Sequence, residues 1–339
     1  MNSKRISFIT YLNVYASFAV VMLHNNGIVW LHPTGRTWYS AIFIETFFYC
    51  AVPLFFMITG CTLIDYSCKY SIKEFFIKRI NKTLIPFTAW SFIGIIYLCL
   101  SNKNWYNLQL PISEIISNIL NTNYIGIYWF FIPLFSTYMC IPILDKISDK
   151  MHVFKYMIIL GFVFLGLLPF ICNLVHFNYN YELVPKMING FVLYSILGYY
   201  LSHKELTVSH KKIVYILGII GFLTNFVGTA ILTDPETDIN GLFRGAFNWP
   251  CLFQTIAFFV LFQNIKLNEK IEVFFNWLST KTFGIYLIHI YLVWEIPKLF
   301  NISMYSLVWR ILGGFLIYLL SALIVSLLQK IPVIKKIVP

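Results

Sequence analysis

Five side chains in this sequence combine ionisable chemistry with an apolar setting: His24, Glu45, His289, Glu295 and Arg310. Charge at membrane depth is costly, so ionisable groups there tend to face a bundle interior or a wet cavity and to serve function. Histidine and carboxylate in such a place can exchange protons with a substrate or relay them along a transport path. Each also has a plainer reading. Glu45, Glu295 and Arg310 can snorkel to water from helix ends, and His289 can be a core histidine bonded to a carbonyl of a neighbouring helix. His24 has a companion. Asn13 precedes it by eleven residues. Eleven helical steps return to within about 20° of the same face, which puts the two on one stripe about 16 Å apart.

The elements that must position these residues are membrane helices. Of 339 residues, 59% are hydrophobic and 12% charged, with a mean hydropathy of +0.74; a soluble domain carries about 25% charge. A soluble two-domain enzyme, a disordered chain and a secreted disulfide scaffold are excluded. The net charge of +11 does not make a nucleic-acid binder, because anionic headgroups and topology use the same surplus. The seven cysteines (Cys50, Cys61, Cys68, Cys99, Cys140, Cys172, Cys251) are odd in number and contain no CxxC pair. They read as small apolar residues, without a disulfide framework or a metal site.

Apolar runs set against polar punctuation predict an all-α, polytopic bundle of about ten spans. Their limits are 7–29, 38–64, 83–101, 124–144, 153–173, 185–202, 212–232, 246–263, 277–296 and 304–330. The first run follows Lys4 and Arg5 and resembles a signal peptide. Asn25-Asn26-Gly27 is a poor cleavage site, so an uncleaved span is expected. Connections are short and no repeat is visible, so residues 1–339 read as a single transmembrane domain with no separate soluble one. Segment 102–123 carries Ile112, Ile115, Ile116 and Ile119 after Pro111. That pattern suits a short interfacial helix, with Trp105 and Tyr106 as headgroup anchors.

With the N-terminus inside, nineteen of the 25 Lys and Arg residues fall in inner segments and six in the outer half. Both termini are therefore expected in the cytoplasm, by the positive-inside rule. The seven inner and seven outer acids leave the surplus on the inner face. In this frame His24, Glu45, Glu295 and Arg310 lie in the outer half and His289 nearer the middle, which predicts a polar cavity opening outward.

The sequence also carries a family's pattern. Leu12-Asn13-Val14-Tyr15-Ala16, followed by Val20-Val21-Met22-Leu23-His24, resembles the first-helix signature of the integral-membrane acyltransferase-3 family. Ala51-Val52-Pro53-Leu54-Phe55-Phe56-Met57-Ile58-Thr59-Gly60 is similar to its second-helix stretch V-P-x-F-F-x-x-S/T-G. Phe76-Ile77-Lys78-Arg79-Ile80-Asn81-Lys82, with Ile85-Pro86-Phe87, is similar to its basic entry to helix 3. Trp129-Phe130-Phe131 with Tyr138 and Pro142 resembles its fourth helix. Leu197-Gly198-Tyr199-Tyr200-Leu201 and Thr282-Phe283-Gly284-Ile285-Tyr286-Leu287-Ile288-His289 match late blocks. The matches run in order along nearly the whole chain. One position departs: where the family has an arginine eleven residues before the histidine, this chain has Asn13, a neutral amide that can orient a carbonyl but cannot clamp an anion.

The resemblance implies O-acetyltransferase activity: transfer of an acetyl or other short acyl group from cytoplasmic acetyl-CoA to a hydroxyl of a surface or extracellular carbohydrate or glycolipid. The setting it implies is a bacterial plasma membrane, with lipids as neighbours, no nucleic acid and no metal. A hydroxyl attacking a thioester needs a general base, and neutral imidazole has the appropriate pKa. The catalytic candidates are thus His24, Glu45 as its orienting partner, and Asn13. Lys78, Arg79 and Lys82 are candidates for the CoA phosphates, although the positive-inside rule alone would also put charge there. His289, Glu295 and Arg310 are candidates for substrate binding. Two readings stand beside this one: a secondary transporter or lipid-linked sugar flippase, since His and Glu also build proton relays, and a catalytically silent membrane partner. There is no P-loop, HExxH, GxSxG or dinucleotide fingerprint.

Overall fold

In the computed structural model, residues 3–102, 109–234 and 239–339 are described. The expected anchors Trp105 and Tyr106 lie outside the described residues. All regular structure among those described is helical. The main helices are α1 (Ser3–Asn25), α2 (Gly35–Phe48), α3 (Ala51–Leu63), α4 (Ile72–Arg79), α5 (Ile85–Asn102), α6 (Ile112–Leu120), α7 (Phe131–Asp145) and α8 (Met151–Gly161). They continue with α9 (Leu168–Leu174), α10 (Val192–Ser202), α11 (Val208–Leu232), α12 (Trp249–Asn264), α13 (Glu269–Ser279), α14 (Thr282–Phe300) and α15 (Gly314–Leu328).

Each of the ten apolar runs contains a helix, but among the described residues eight helical stretches are long and apolar enough to cross a membrane. The two that fall short belong to runs 185–202 and 246–263. The first shortens to the 11 residues of α10, preceded by a 3-10 turn at Lys186–Ile188. Nine of the 11 are buried, from Val192 to Leu201. An apolar run of this length is what a core helix needs, and α10 is one. The second is the 16-residue α12, which starts on Trp249-Pro250 and stops at Asn264, short of the roughly 20 residues that a bilayer asks for. The predicted interfacial helix forms as α6, with Ile119 buried while Ile112 and Ile116 face outward.

Helix starts follow local chemistry. A Ser71–Glu74 capping box opens α4, and the side chains of Thr207 and Asn268 cap α11 and α13. Proline at the start of α12 leaves no amide that needed a partner. π-Helical turns at Ile80–Leu84, Phe162–Leu167 and Trp309–Gly313 lead into α5, α9 and α15.

A close helix crossing joins α3 to α10. Gly60 and Gly198 let the two backbones meet, since a Cβ on Gly60 would lie 1.9 Å from the Ser195 carbonyl oxygen and one on Gly198 2.3 Å from that of Met57. The contact is sealed by hydrogen bonds from Ser195 Oγ to the Phe56 carbonyl at 2.9 Å and from Cys61 Sγ to the Gly198 carbonyl at 3.0 Å. Small residues at membrane depth serve this purpose, because lipid offers no hydrophobic drive to hold helices together.

Polar contacts sort to two ends. At one end Ser7 meets Glu272, Asn13 meets Thr282, Asp65 meets Tyr199 and His203, and Lys281 meets Gln329. At the other, Asn26 meets Ala41, Trp38 meets Ala230, Arg244 meets Glu45, and Glu295 meets Tyr97 and Lys298. None of these contacts joins a residue of the expected inner set to one of the outer set.

Candidate functional site

His24 occupies the last turn of α1, and its end is pinned from three sides. Asn25 Nδ2 donates to the carbonyls of Trp309 at 2.9 Å and Arg310 at 3.2 Å. Those acceptors belong to the π-helical turn Trp309–Gly313, whose wider winding leaves carbonyls free for outside donors. Asn26 Nδ2 donates to the Ala41 carbonyl of α2 at 2.8 Å. The Arg310 guanidinium, 1% exposed, donates to Asn26 Oδ1 at 3.3 Å and to Ser40 Oγ at 2.7 Å. Arg310 therefore ties the end of α1, α2 and the turn leading into α15 together behind the histidine, and it does not line the cavity that the histidine faces.

The partner of His24 is His289, on α14. His24 Nδ1 and His289 Nε2 stand 2.9 Å apart. His289 Nδ1 lies 3.0 Å from the Ile285 carbonyl oxygen and 2.8 Å from that of Tyr286. Carbonyl oxygens only accept, so Nδ1 of His289 carries the proton. In a neutral pair His289 Nε2 is then an acceptor, and His24 Nδ1 must donate to it. The lone pair of His24 Nε2 is left over, a base held in one orientation by its neighbour. The C-terminal end of α1, where partial negative charge collects, faces the charge that builds on this ring when it takes a proton.

His24 lines a cavity of about 270 Å³ with Trp30, Glu45, Tyr49, Trp129, Phe130, Phe191, Arg244 and Tyr286 among its walls. Tyr286 donates to the Ile127 carbonyl and Tyr194 to that of Ala246, which fixes the segments bearing Trp129 and Arg244. Glu45 lines this cavity but does not orient His24. Its carboxylate is paired with Arg244, whose guanidinium lies 4.6 Å from the ring centres of both Trp30 and Tyr49. The neighbour expected of His24 was Glu45; in the structure it is His289, while the carboxylate is paired with Arg244.

The other expected residues separate. Asn13 sits on the same continuous α1, and its amide donates to Thr282 Oγ1 at 2.9 Å, at the start of α14. Helix 1 and helix 14 thus share a seam, with Asn13–Thr282 at one end and His24–His289 at the other. Glu295 lies outside the cavity, bonded to Tyr97 at 2.5 Å and Lys298 at 3.0 Å. Lys78, Arg79 and Lys82 gather at the end of the bundle opposite the cavity. Lys78 stands over the Tyr70 ring at 3.7 Å and Lys82 is exposed. Arg79 turns inward between Phe75 and Tyr138, with a buried Nε that no group satisfies. Lys281, beside Thr282 at this same end, has its ammonium pKa held below the usual lysine range by desolvation and then by the Lys335 charge.

Sequence reasoning misses Arg244, Trp30 and Tyr49, and it reads Trp129 only as part of the fourth-helix resemblance, not as a site residue. Arg244 sits in a connection and reads there as one of six outer cations. The available hint is Trp30, six residues past His24, in the 3-10 turn Gly27–Leu31 that follows α1.

A search of the curated proteins and one of the solved structures found no match to the chain. A family described as an acyltransferase domain matches residues 6–328. That span includes both histidines, the cavity walls and all eight long apolar helices, and the chain belongs to the acyltransferase-3 family, as a multi-pass membrane acyltransferase.

Proposed function

We propose that the protein transfers an acetyl or other short acyl group from cytoplasmic acyl-CoA to a carbohydrate hydroxyl at the outer side of a bacterial plasma membrane, with His24 as general base. The observation that carries this reading is the His24–His289 hydrogen bond at 2.9 Å, beside an aromatic cavity. His24 Nε2 takes the proton of the acceptor hydroxyl as its oxygen attacks the thioester carbonyl carbon. The tetrahedral intermediate collapses, the C–S bond breaks, and the departing thiolate recovers the proton from His24. The products are an ester and free CoA thiol. General-base assistance of this kind contributes roughly 10²–10⁴ in rate.

In this reading both termini are cytoplasmic, with the Lys-rich end of the bundle toward the donor. Arg79, with its unsatisfied Nε, and the exposed Lys78 and Lys82 are candidates for the CoA phosphates. The thioester at the end of the pantetheine arm must then reach about 16 Å along α1, from the level of Asn13 to that of His24. Asn13 is neutral and already bonded to Thr282, so its part is to tie α1 to the start of α14.

The test is transfer of labelled acetyl from acetyl-CoA to candidate glycans by the purified protein. Label on glycan that vanishes with His24→Ala supports the reading, and equal transfer by both proteins removes His24 from the mechanism. Uptake of a glycan into proteoliposomes with no acyl donor present would overturn the enzyme reading altogether.

A further inference from the structure

The cavity beside His24 holds one ion pair, Glu45 with Arg244, with side chains only 4% and 12% exposed. The carboxylate offers one oxygen to Arg244 Nη2, which leaves Glu45 Oε2 as an acceptor and Arg244 Nη1 as a donor. The guanidinium cannot swing away: Trp30 and Tyr49 flank it. Its loop is tied down by Asn248 Nδ2, which donates to the carbonyls of Gly241 at 3.1 Å and Leu242 at 2.7 Å. A fixed donor beside a fixed acceptor matches two neighbouring hydroxyls, each of which gives one hydrogen bond and takes one. Trp30, with Arg244 over one face of its ring, and Trp129 line the same cavity; they are 56% and 43% exposed, and a flat aromatic face suits the apolar C–H face of a sugar ring. The volume of about 270 Å³ is at the small end for ligand pockets, enough for a single ring.

Charge decides what kind of ring. Arg244 is already neutralised by Glu45, so an acidic sugar would meet a carboxylate with no free cation to offset it. We propose that the Glu45–Arg244 pair, in the cavity that Trp30 and Trp129 also line, is the acceptor-reading element of the site and selects an uncharged sugar presenting adjacent hydroxyls over its uronic-acid counterpart. This rests on the carbohydrate-acceptor reading above and adds to it the residues and the charge rule.

Saturation-transfer difference NMR on the His24→Ala protein in nanodiscs tests the rule without needing turnover. The probes are the methyl glycosides of glucose, galactose and mannose and the matching methyl uronosides. The neutral glycosides are expected to bind, with the strongest transfer to ring C–H protons, and the uronosides at least about tenfold more weakly, because like charges are brought together. Glu45→Gln leaves Arg244 uncompensated and should reverse the preference toward uronosides. Since an unpaired buried cation threatens the fold, the double variant Glu45→Gln/Arg244→Gln keeps shape without charge. It should bind both classes weakly and equally, with its thermal unfolding followed alongside. Equal binding of both classes by the parent protein, or a double variant that still discriminates, overturns the charge rule while leaving a carbohydrate acceptor standing. Binding of no glycoside, by a protein that still acylates another hydroxyl compound in its His24 form, overturns the carbohydrate reading and the charge rule with it.

Discussion

His24 and His289 are 265 positions apart in the chain and 2.9 Å apart in the folded protein, with the proton order between them set by two backbone carbonyls of α14. Helix 14 therefore supplies more than a second polar group. Its carbonyls decide which nitrogen of His289 is protonated, and through that ring they decide which nitrogen of His24 is free.

Replacing His289 tests this relay. His289→Phe removes the acceptor for His24 Nδ1, so the base loses its orientation and its tautomer. The expected result is a fall in kcat of about a hundredfold, the low end of what a general base is worth, with KM for the acyl donor nearly unchanged. His289→Gln offers an amide oxygen to the same proton and should recover part of the loss. A pH–rate profile separates the two, since only a His289 acting through His24 moves the acid limb. Wild-type kcat in His289→Phe would rule the relay out.

The Asn13–Thr282 bond closes the other end of the same seam at 2.9 Å. A double-mutant cycle of Asn13→Ala and Thr282→Val should give a coupling of about 0.5–1.5 kcal/mol, the usual net worth of such a bond. Unfolding of the detergent-solubilised protein is the measurement. Coupling near zero would mean that the seam is held by packing alone.

Arg310 is a clamp by this structure, and its removal should show in stability before chemistry. Arg310→Leu leaves Asn26 Oδ1 without its donor in a buried place and removes the tie to Ser40. A loss of about 2–4 kcal/mol is expected, since orphaning a buried polar group costs about 1–3 kcal/mol before lost packing is counted. Ser40→Ala breaks one arm and should cost less than half as much. If Arg310→Leu unfolds at the wild-type temperature and instead raises KM for the acceptor, Arg310 is a ligand-binding group.

The α3–α10 crossing gives the sharpest steric forecast. Gly198→Ala places a methyl 2.3 Å from the Met57 carbonyl oxygen and Gly60→Ala places one 1.9 Å from that of Ser195. Neither backbone can retreat without losing the Ser195 and Cys61 hydrogen bonds. Each change should cost about 3 kcal/mol or more, at or beyond the upper range for overpacking. Gly190→Ala is a poor control because its φ is +73°, whereas Gly126→Ala meets nothing within 4 Å and should fold normally.

Most of the helical architecture was legible from sequence, because burial in lipid imposes long apolar runs that each helix carries within itself. All ten runs contain a helix, eight of them, among the described residues, long and apolar enough to span a membrane. What α10 does with its apolar run was not legible. Protein interior and lipid favour the same side chains, so Val192 to Leu201 reads alike whether it faces one or the other. Only the approach of α3, which needs Gly60 and Gly198 together, makes it a core helix.

The candidate site divides in the same way. His24 announced itself, since an imidazole in the last turn of an apolar helix has few reasons to be there, and its spacing from Asn13 is a property of α1 alone. Its partner was not announced. Glu45 and His289 were both polar, both in membrane helices and both compatible with His24. The choice between them depends on where a third residue lies: Arg244, carried by a connection whose path no periodicity predicts, takes the carboxylate and leaves His24 to His289. Composition and helical period, being local, were settled by the sequence itself. The pairing of charges and the tautomer of a histidine depend on which segments meet, and only the tertiary structure decided those.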